Sequence, residues 1–308
     1  MQTILTTDHL NKQIGAETII SDLNMHIAKG EIYGFLGPNG AGKTTVMKMI
    51  TNQWKPTSGD IILFGEKLLP DSYTFLKRLG SIIEFPVFYN ELTAEDNLKL
   101  HCEYMGYYSP DSVEKALSLL SLSDTRGKKV KEFSLGMKQR LGIARAVLTK
   151  PEFLVLDEPT NGLDPAGMKQ LRDLFLMLCK EYGMTILISS HLLSEIESIA
   201  HTVGIIHKGR LVREISMKEI SDKGLEYLEI KTPETVKASY ILSDRLQISN
   251  FKVLNDNQIR VYAKQATSQE IMKVLTENQI EIQGFHTHSE SLEEYFLKVT
   301  GGESECGN

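Results

Sequence analysis

The spacing of hydrophobic residues changes along the chain. Alternating apolar and polar positions in residues 4–10 and 18–27 predict two antiparallel strands joined through Gly15. Later runs are apolar throughout, which predicts short strands buried on both faces. These continuous runs lie at residues 31–36, 153–156 and 185–189. Because segments with helical periodicity separate the runs, the pattern predicts an α/β domain with a mainly parallel sheet over residues 1–215.

A block of helical periodicity interrupts this alternation. Residues 93–123 follow a helical pattern, and Ser134 opens another helix that ends before Pro151. Helices inserted between the strands of an α/β domain predict a separate helical subdomain, at about residues 85–150.

The pattern changes again after residue 216. Strands and helices follow in the order βαββαβ, which predicts a small α+β domain of the ferredoxin-like type over residues 216–308. Its last helix is expected at residues 291–299, and the short polar tail at residues 301–308 is expected to be mobile.

The composition is that of a globular protein with a sizeable core. The 308 residues are 41% hydrophobic and 24% charged, and the net charge of −6 gives no sign of a nucleic-acid partner. We find neither an apolar run long enough to span a bilayer nor a signal peptide. The cysteines lack metal or redox spacing and are expected to be ordinary thiols in a reducing compartment. They are Cys102, Cys179 and Cys306.

The most specific feature follows the predicted strand at residues 31–36. The stretch from Gly37 to Thr44 fits G-x-x-x-x-G-K-[ST], the phosphate loop. Lys43 would reach the β- and γ-phosphates of a nucleotide, and the Thr44 hydroxyl would ligate Mg²⁺. A glycine-rich turn that only joins a strand to a helix is the alternative. The predicted nucleotide-binding residues are Gly37, Pro38, Asn39, Gly40, Ala41, Gly42, Lys43, Thr44 and Thr45.

A second candidate pair follows the apolar run at residues 153–156. Asp157 and Glu158 come directly after this predicted strand, at its carboxyl end, where α/β folds place their ligands. Asp157 would hold Mg²⁺, directly or through water, and Glu158 would orient or deprotonate the water that attacks the γ-phosphate. The alternative is a strand end with two solvated acids. Together with the phosphate loop, the pair predicts nucleotide hydrolysis.

A third motif resembles the signature loop of ABC-type ATPases, usually Leu-Ser-Gly-Gly-Gln. Here it reads Ser134-Leu135-Gly136-Met137-Lys138-Gln139. In that family the loop lies at a helix N-terminus and caps the γ-phosphate held by the opposite subunit, which is the role the resemblance implies for Ser134 and Gly136. A hydroxyl, a glycine N–H and a helix dipole suit an anion. The alternative is a serine that only caps its own helix.

Two further motifs appear in the order of that family. The stretch Asn161-Gly162-Leu163-Asp164 resembles the loop that links the two nucleotide sites of a dimer. His191 resembles the switch histidine that contacts the γ-phosphate, although a lone histidine is more often a polar surface residue. The resemblance covers residues 3 to about 215, and the catalytic residues it implies are Lys43, Glu158 and His191.

The resemblance implies an ATPase that uses ATP and Mg²⁺ and works as a homodimer. The phosphate loop of one copy and residues 134–137 of the other would enclose each ATP. Since this sequence has no membrane span of its own, the resemblance also implies an integral membrane permease as partner. The expected location is the cytoplasmic face of the membrane, and no nucleic acid is expected to bind.

The sequence departs from the family pattern at two positions. Glu84 stands where ABC ATPases usually have glutamine, at a position that senses Mg²⁺ and couples to the membrane partner, so Glu84 is a further candidate metal ligand. We expect only the metal to offset the negative charge of Glu84 near Glu158 and the phosphates. The alternative is that the Glu84 side chain faces solvent. Ile14 replaces the aromatic residue that usually stacks on adenine.

Glu84 and the signature resemble those of ATPases from bacitracin and lantibiotic self-protection exporters, which implies export of a peptide antibiotic. One rival is a soluble ABC-type ATPase that acts on ribosomes or DNA. The sequence has one phosphate loop and no sustained heptads between Lys43 and Ser134, which disfavours this rival. Another is a nucleotide-binding regulatory module without turnover, which would not require Glu158.

Overall fold

The computed structural model describes residues 2–223, 227–262 and 266–288, together with Leu292 and Phe296. The chain divides into two compact units that meet in sequence between Met217 and Lys218. Leu292 and Phe296 are helical, but the rest of the predicted helix 291–299 and the predicted mobile tail 301–308 lie outside the described residues. Within the described ranges, no helix combines the length and the hydropathy needed to cross a bilayer.

Strands in the first unit form two sheets. In chain order they are β1 (Thr3–Ile14), β2 (Glu17–Ala28), β3 (Ile32–Leu36), β4 (Ser58–Leu63), β5 (Glu66–Lys67), β6 (Leu79–Ile82), β7 (Phe153–Asp157), β8 (Thr185–Ser190), β9 (Thr202–His207) and β10 (Arg210–Ser216).

The first sheet is antiparallel, with the order β2-β1-β4-β5. Its β1–β2 hairpin turns at Gly15, whose φ of 61° lies in the left-handed region. The predicted hairpin is thus confirmed, although both strands are longer than the alternating segments in the sequence.

The second sheet has the order β10-β9-β3-β8-β7-β6. All its neighbours are parallel except β10, which runs antiparallel to β9. Every residue of β3, β7 and β8 is buried, as the continuous apolar runs predict. The carboxyl ends of these three strands therefore meet at one edge of the sheet, where ligands of α/β proteins bind.

Helices follow or interrupt the strands. They are α1 (Lys43–Ile50), α2 (Ala94–Met105), α3 (Ser112–Leu119), α4 (Leu135–Val147), α5 (Pro165–Tyr182), α6 (Leu193–Glu197) and α7 (Met217–Lys223), with 3₁₀ turns at Thr74–Arg78, Ser123–Thr125 and Val130–Glu132. Thr93 caps α2 and Ser134 caps α4, each by accepting a backbone N–H from three residues ahead. The helical block between β6 and β7 is therefore composed of α2, α3 and α4.

The main core joins both sheets to α1. Leu5 of β1, Phe35 of β3 and Leu187 of β8 belong to one buried cluster with Val46 and Met47 of α1. Each of these side chains is fully buried, and burial of one such side chain stabilises the fold by about 1.5–3 kcal/mol. The helix that follows the phosphate loop is thereby fixed against both sheets.

The second unit contains its own sheet and core. Its elements are β11 (Tyr227–Lys231), α8 (Thr235–Leu246), β12 (Phe251–Asn255), β13 (Gln258–Val261), α9 (Ser268–Glu277) and β14 (Gly284–His288). The sheet is antiparallel in the order β12-β13-β11-β14, which agrees with the βαββαβ succession read from the sequence. β12 begins at Phe251, and Ile248 shortly before it packs into the core of this unit.

Candidate active site

The phosphate loop connects the end of β3 to the start of α1. Gly37 lies so close to β9 that an added Cβ would be 2.4 Å from the backbone oxygen of Ile206, so a larger residue would displace the strand. Gly42 has a φ of 109° immediately before α1, a conformation that favours glycine. Gly40 lies in the same left-handed region, with a φ of 78°, so all three glycines are required by the path of the loop itself.

Unpaired donors line this loop. Among the described residues, the backbone N–H groups of Gly40, Gly42, Lys43 and Thr44 have no hydrogen-bond acceptor. Three of the four lie at the start of α1, where the helix dipole adds partial positive charge. Free N–H groups at a helix N-terminus favour an anion such as a nucleotide phosphate.

Lys43 is buried at the centre of the loop. Its Nζ donates hydrogen bonds to the carbonyl oxygens of Gly37 at 2.6 Å and Pro38 at 3.2 Å, and it lies 3.7 Å from Glu158 Oε1. Burial lowers the pKa of Lys43, while the charges of Glu158 and Asp157 act in the opposite direction. A cation in these low-dielectric surroundings attracts a phosphate more strongly than one in water.

Hydrogen-bond donors converge on Asp157 at the end of β7. Thr44 Oγ1 donates to Oδ2 at 2.7 Å and the Glu84 N–H donates to the same oxygen at 3.3 Å. Ser189, directly opposite Asp157 on β8, donates to Oδ1 at 2.6 Å. The sequence prediction identified Thr44 and Asp157 but missed Ser189, since the pairing of β7 with β8 could not be read from either segment alone.

The residues around Thr44 and Asp157 fit a magnesium ion. A hydroxyl and a carboxylate are hard oxygen donors of the kind Mg²⁺ prefers, and Mg²⁺ usually takes one or two carboxylates together with substrate phosphates. The described residues contain no group of three or more histidine, cysteine or acidic side chains arranged to hold a metal.

Glu158 is oriented by several neighbours. Its N–H donates to Ser189 Oγ at 2.9 Å, and its φ of 44° is left-handed, an uncommon conformation for a residue other than glycine. Asn161 Nδ2 donates to Oε2 at 2.8 Å and His191 Nδ1 donates to the same oxygen at 3.0 Å. The structure therefore brings Lys43 and His191 together at the carboxylate of Glu158.

Ser134 and Gly136 lie on a different part of the surface. A Cβ on Gly136 would be 3.3 Å from the carbonyl oxygen of Gly162, so the signature loop packs against the loop at residues 161–164. No hydrogen bond within the described part of the chain joins Ser134 or Gly136 to the phosphate loop. Within one copy, these residues do not complete the phosphate site.

Glu84 has a partner that the sequence prediction overlooked. Its Oε1 lies 2.8 Å from Lys48 Nζ, on the helix that follows the phosphate loop. The expectation that only a metal could offset the charge of Glu84 is therefore wrong. Lys48 could have been suspected because it lies four residues after Thr44 and hence on the same face of α1. Ile14, at the end of β1, is half exposed and offers apolar surface only.

A glycine-rich loop with free N–H donors, a buried lysine and two consecutive acids at the carboxyl end of β7 define a P-loop nucleoside triphosphatase. Comparisons with known proteins narrow this class. The family model described as ABC transporter matches residues 20–161. ABC transporter ATP-binding protein YcbN of Bacillus subtilis (strain 168) is 53% identical over 99% of both chains. The chain belongs to the ATP-binding proteins of ABC transporters, and its activity is the binding and hydrolysis of ATP.

Other relatives carry names that refer to antibiotics. The bacitracin transport ATP-binding protein BcrA of Bacillus licheniformis is 43% identical over 98% of this chain and 99% of its own length. The lantibiotic transport ATP-binding protein SrtF of Streptococcus pyogenes is 44% identical over 68% of this chain and 90% of its own.

Solved structures share the fold of the first unit. An ATP-binding subunit of an ABC transporter matches with a TM-score of 0.66 and 29% identity, over 72% of this chain and 93% of its own. The ATP-binding cassette MJ0796, a dimer in a post-hydrolysis state with ADP and Pi, matches with a TM-score of 0.64 and 25% identity, over 69% and 98%. These matches confirm the predicted P-loop ABC ATPase fold.

Proposed function

We propose that ATP with Mg²⁺ binds at the loop from Gly37 to Thr45 and that Glu158 activates the attacking water. The observation that carries this proposal is the position of Glu158, 3.7 Å from Lys43 Nζ and hydrogen-bonded to His191. Glu158 as the base, Lys43 as the cation and His191 as the switch residue thus lie close enough together to act on one phosphate.

The remaining residues of the site have distinct roles. Thr44 and Asp157 would hold Mg²⁺, which when bound neutralises the charge on the phosphates. Lys43 holds the β- and γ-phosphates, and the free N–H groups of the loop orient them. Glu84 is a further candidate ligand for Mg²⁺; its Oε1 is paired with Lys48 Nζ at 2.8 Å, so this oxygen would have to leave Lys48 before it could bind the metal.

The complete site contains a second copy of the chain. Ser134 and Gly136 of that copy cap the γ-phosphate bound by the first, which gives a homodimer with ATP at its interface. This is supported by the separation of both residues from their own phosphate loop and by Leu135, a large apolar side chain between them that is 64% exposed. The post-hydrolysis structure of MJ0796, described as dimeric, also supports it.

The dimer drives export of a peptide antibiotic through a separate membrane permease, at the cytoplasmic face of the membrane. The names of the bacitracin and lantibiotic relatives support this substrate class. A group of exposed apolar side chains near the segment that follows Glu84 supplies a surface for the permease. The group consists of Phe85, Val87, Tyr89 and Tyr104, which are 71%, 71%, 56% and 69% exposed.

Affinity isolation of the full chain from detergent-solubilised membranes tests this function. We expect a multi-span membrane protein to co-purify with the wild type and to be lost from the Phe85→Ser/Tyr104→Ser variant. Tyr182→Ser, which alters an exposed tyrosine at the end of α5, is the matched control and should retain the partner. Cells carrying Lys43→Ala should lose resistance to bacitracin or a lantibiotic. Recovery of ribosomes or DNA in place of a membrane protein would contradict the exporter function.

A further inference from the structure

Glu195 lies on the short helix α6, close to the catalytic network but outside it. Its Oε2 accepts a hydrogen bond from Thr160 Oγ1 at 2.9 Å. Ser190 Oγ lies 3.1 Å from the same oxygen and donates to it, with the Leu192 carbonyl at 3.3 Å as a second acceptor. One carboxylate oxygen therefore joins the loop after β7 to the end of β8.

The two residues that Glu195 holds are the immediate neighbours of the two that orient Glu158. Thr160 precedes Asn161, and Ser190 precedes His191. Asn161 and His191 donate to the same Glu158 oxygen, Oε2, at 2.8 and 3.0 Å. Both donors of the Glu158 carboxylate are therefore one residue away from a hydroxyl that Glu195 holds.

The other carboxylate oxygen of Glu195 does not contribute a hydrogen bond to the stability of the fold. Oε1 is buried and has no hydrogen-bond partner among the described residues. A buried acceptor without a donor destabilises a fold, and each such group in a native structure calls for an explanation. The hydrogen bonds of Glu195 therefore lie on one oxygen only, the one that joins Thr160 to Ser190.

We propose that Glu195 is a positioning residue for ATP hydrolysis. By holding Thr160 and Ser190 on one oxygen, it sets the distance between the loop that carries Asn161 and the strand end that carries His191. It thereby fixes the orientation of the Glu158 carboxylate. The inference rests on the proposed role of Glu158, and it assigns Glu195 no contact with ATP or with the reacting atoms.

Steady-state ATPase kinetics of the full chain test this role. Glu195→Leu removes the acceptor and should lower kcat by about 10- to 100-fold, since small misplacements of catalytic groups have effects of this size. The KM for ATP should change by less than about threefold, because the phosphate loop is untouched. Glu195→Gln keeps an oxygen for both hydroxyls and should restore kcat to within about fivefold of wild type. Ser194→Ala, at an exposed neighbour on α6, is the matched control and should behave as wild type.

Double variants distinguish a positioning role of Glu195 from a general loss of structure. If Glu195 acts through Asn161, the Asn161→Ala/Glu195→Leu variant should lose clearly less than the product of the two single losses. The Thr160→Val/Ser190→Ala variant removes the same hydrogen bonds while leaving Glu195 in place, and it should also lower kcat. This variant replaces Glu195→Leu in the test if thermal unfolding shows that Glu195→Leu does not fold.

Three results would overturn the positioning role: wild-type kcat in Glu195→Leu, losses that multiply with those of Asn161→Ala, or a Glu195→Gln variant as impaired as Glu195→Leu. Glu158→Gln is measured in the same assay. If it turned over at the wild-type rate, the role proposed for Glu158 would fail, whatever the Glu195 variants showed. An inactive Glu158→Gln with multiplying losses would reject only the role of Glu195.

Discussion

Lys48 Nζ lies 2.8 Å from Glu84 Oε1, so the helix after the phosphate loop is joined directly to the segment that leaves β6. Lys48 also stacks on Trp54, with Nζ 4.8 Å from the ring centroid. The backbone N–H of Glu84 meanwhile donates to Asp157. Glu84 therefore connects α1 to the proposed metal site, and a displacement of this segment would reach both.

Removal of the Lys48 charge should raise the KM for ATP, and removal of the Glu84 charge in the same variant should lower the KM again. In Lys48→Met, Glu84 becomes an uncompensated anion close to the phosphates, and the KM for ATP should rise about 5- to 20-fold. The Lys48→Met/Glu84→Gln variant should lie within about threefold of Glu84→Gln alone. ATPase kinetics measure both effects.

The stability of the fold should hardly change in these variants, because a partly exposed ion pair contributes only about 0–1 kcal/mol. Lys150→Met, at an exposed lysine after α4, is the matched control and should leave the KM unchanged. Independent, additive effects of Lys48→Met and Glu84→Gln would show that the two side chains do not compensate each other in solution.

ATP binding should become coupled to proton uptake at alkaline pH. Burial lowers the pKa of Lys43 below its ordinary value of 10.5, and a bound phosphate favours the charged form and raises it again. Between these two pKa values, free Lys43 is neutral and bound Lys43 is charged, so affinity falls as pH rises. Calorimetry in buffers of different ionisation enthalpy should detect up to one proton taken up per ATP in this range. Lys43→Met should bind weakly with no such uptake; equal uptake by this variant would assign the proton elsewhere.

Gly37→Ala should weaken both the fold and nucleotide binding. The added methyl group would approach the Ile206 backbone oxygen to 2.4 Å, which forces β9 or the phosphate loop to move. We expect a loss of about 1–3 kcal/mol in the free energy of unfolding by urea and a lower affinity for ATP. Gly127→Ala is the control, because nothing lies within 4 Å of its added Cβ. Equal stability of the two variants would show that β9 adapts freely.

His101 on α2 should make the fold sensitive to acid. Burial, with a smaller contribution from the Arg145 charge, lowers the pKa of His101 from 6.5 to about 4. Between these values the unfolded chain binds a proton that the folded chain does not, so stability is lost as pH falls from 6.5 towards 4. His101→Leu should reduce the loss of unfolding free energy between pH 7 and pH 4.5 by about 1–2 kcal/mol. Tyr104→Phe on the same helix is the control; an identical pH dependence in His101→Leu would exclude this histidine as the cause.

The sequence predicted the candidate site wherever its residues form a contiguous motif. The phosphate loop, the acid pair after β7 and the serine that caps α4 each lie within a few residues, and their types alone indicate their chemistry. The continuous apolar runs also predicted the buried parallel strands, because such strands have no solvent-facing side. The hairpin at Gly15 was predicted for a similar reason: a local turn signal separates two alternating segments.

Residues that act through neighbours in space could not be predicted in the same way. Ser189 reaches Asp157 only because β8 pairs with β7 in one particular register, and Lys48 reaches Glu84 across a separation of 36 residues. Glu195 likewise depends on two strand ends that meet at one edge of the sheet. Their residue types are common on any surface, and only the folded chain shows which side chains they contact.

In the proposed function, Glu158 activates water for ATP hydrolysis in a site closed by a second copy of the chain. ATPase activity and size-exclusion chromatography of Glu158→Gln in the presence of Mg²⁺ and ATP test it most directly. We expect this variant to bind ATP, to lose turnover by at least about 100-fold and to elute as a dimer with ATP retained. Wild-type turnover, or a monomer that binds ATP without dimerising, would contradict it.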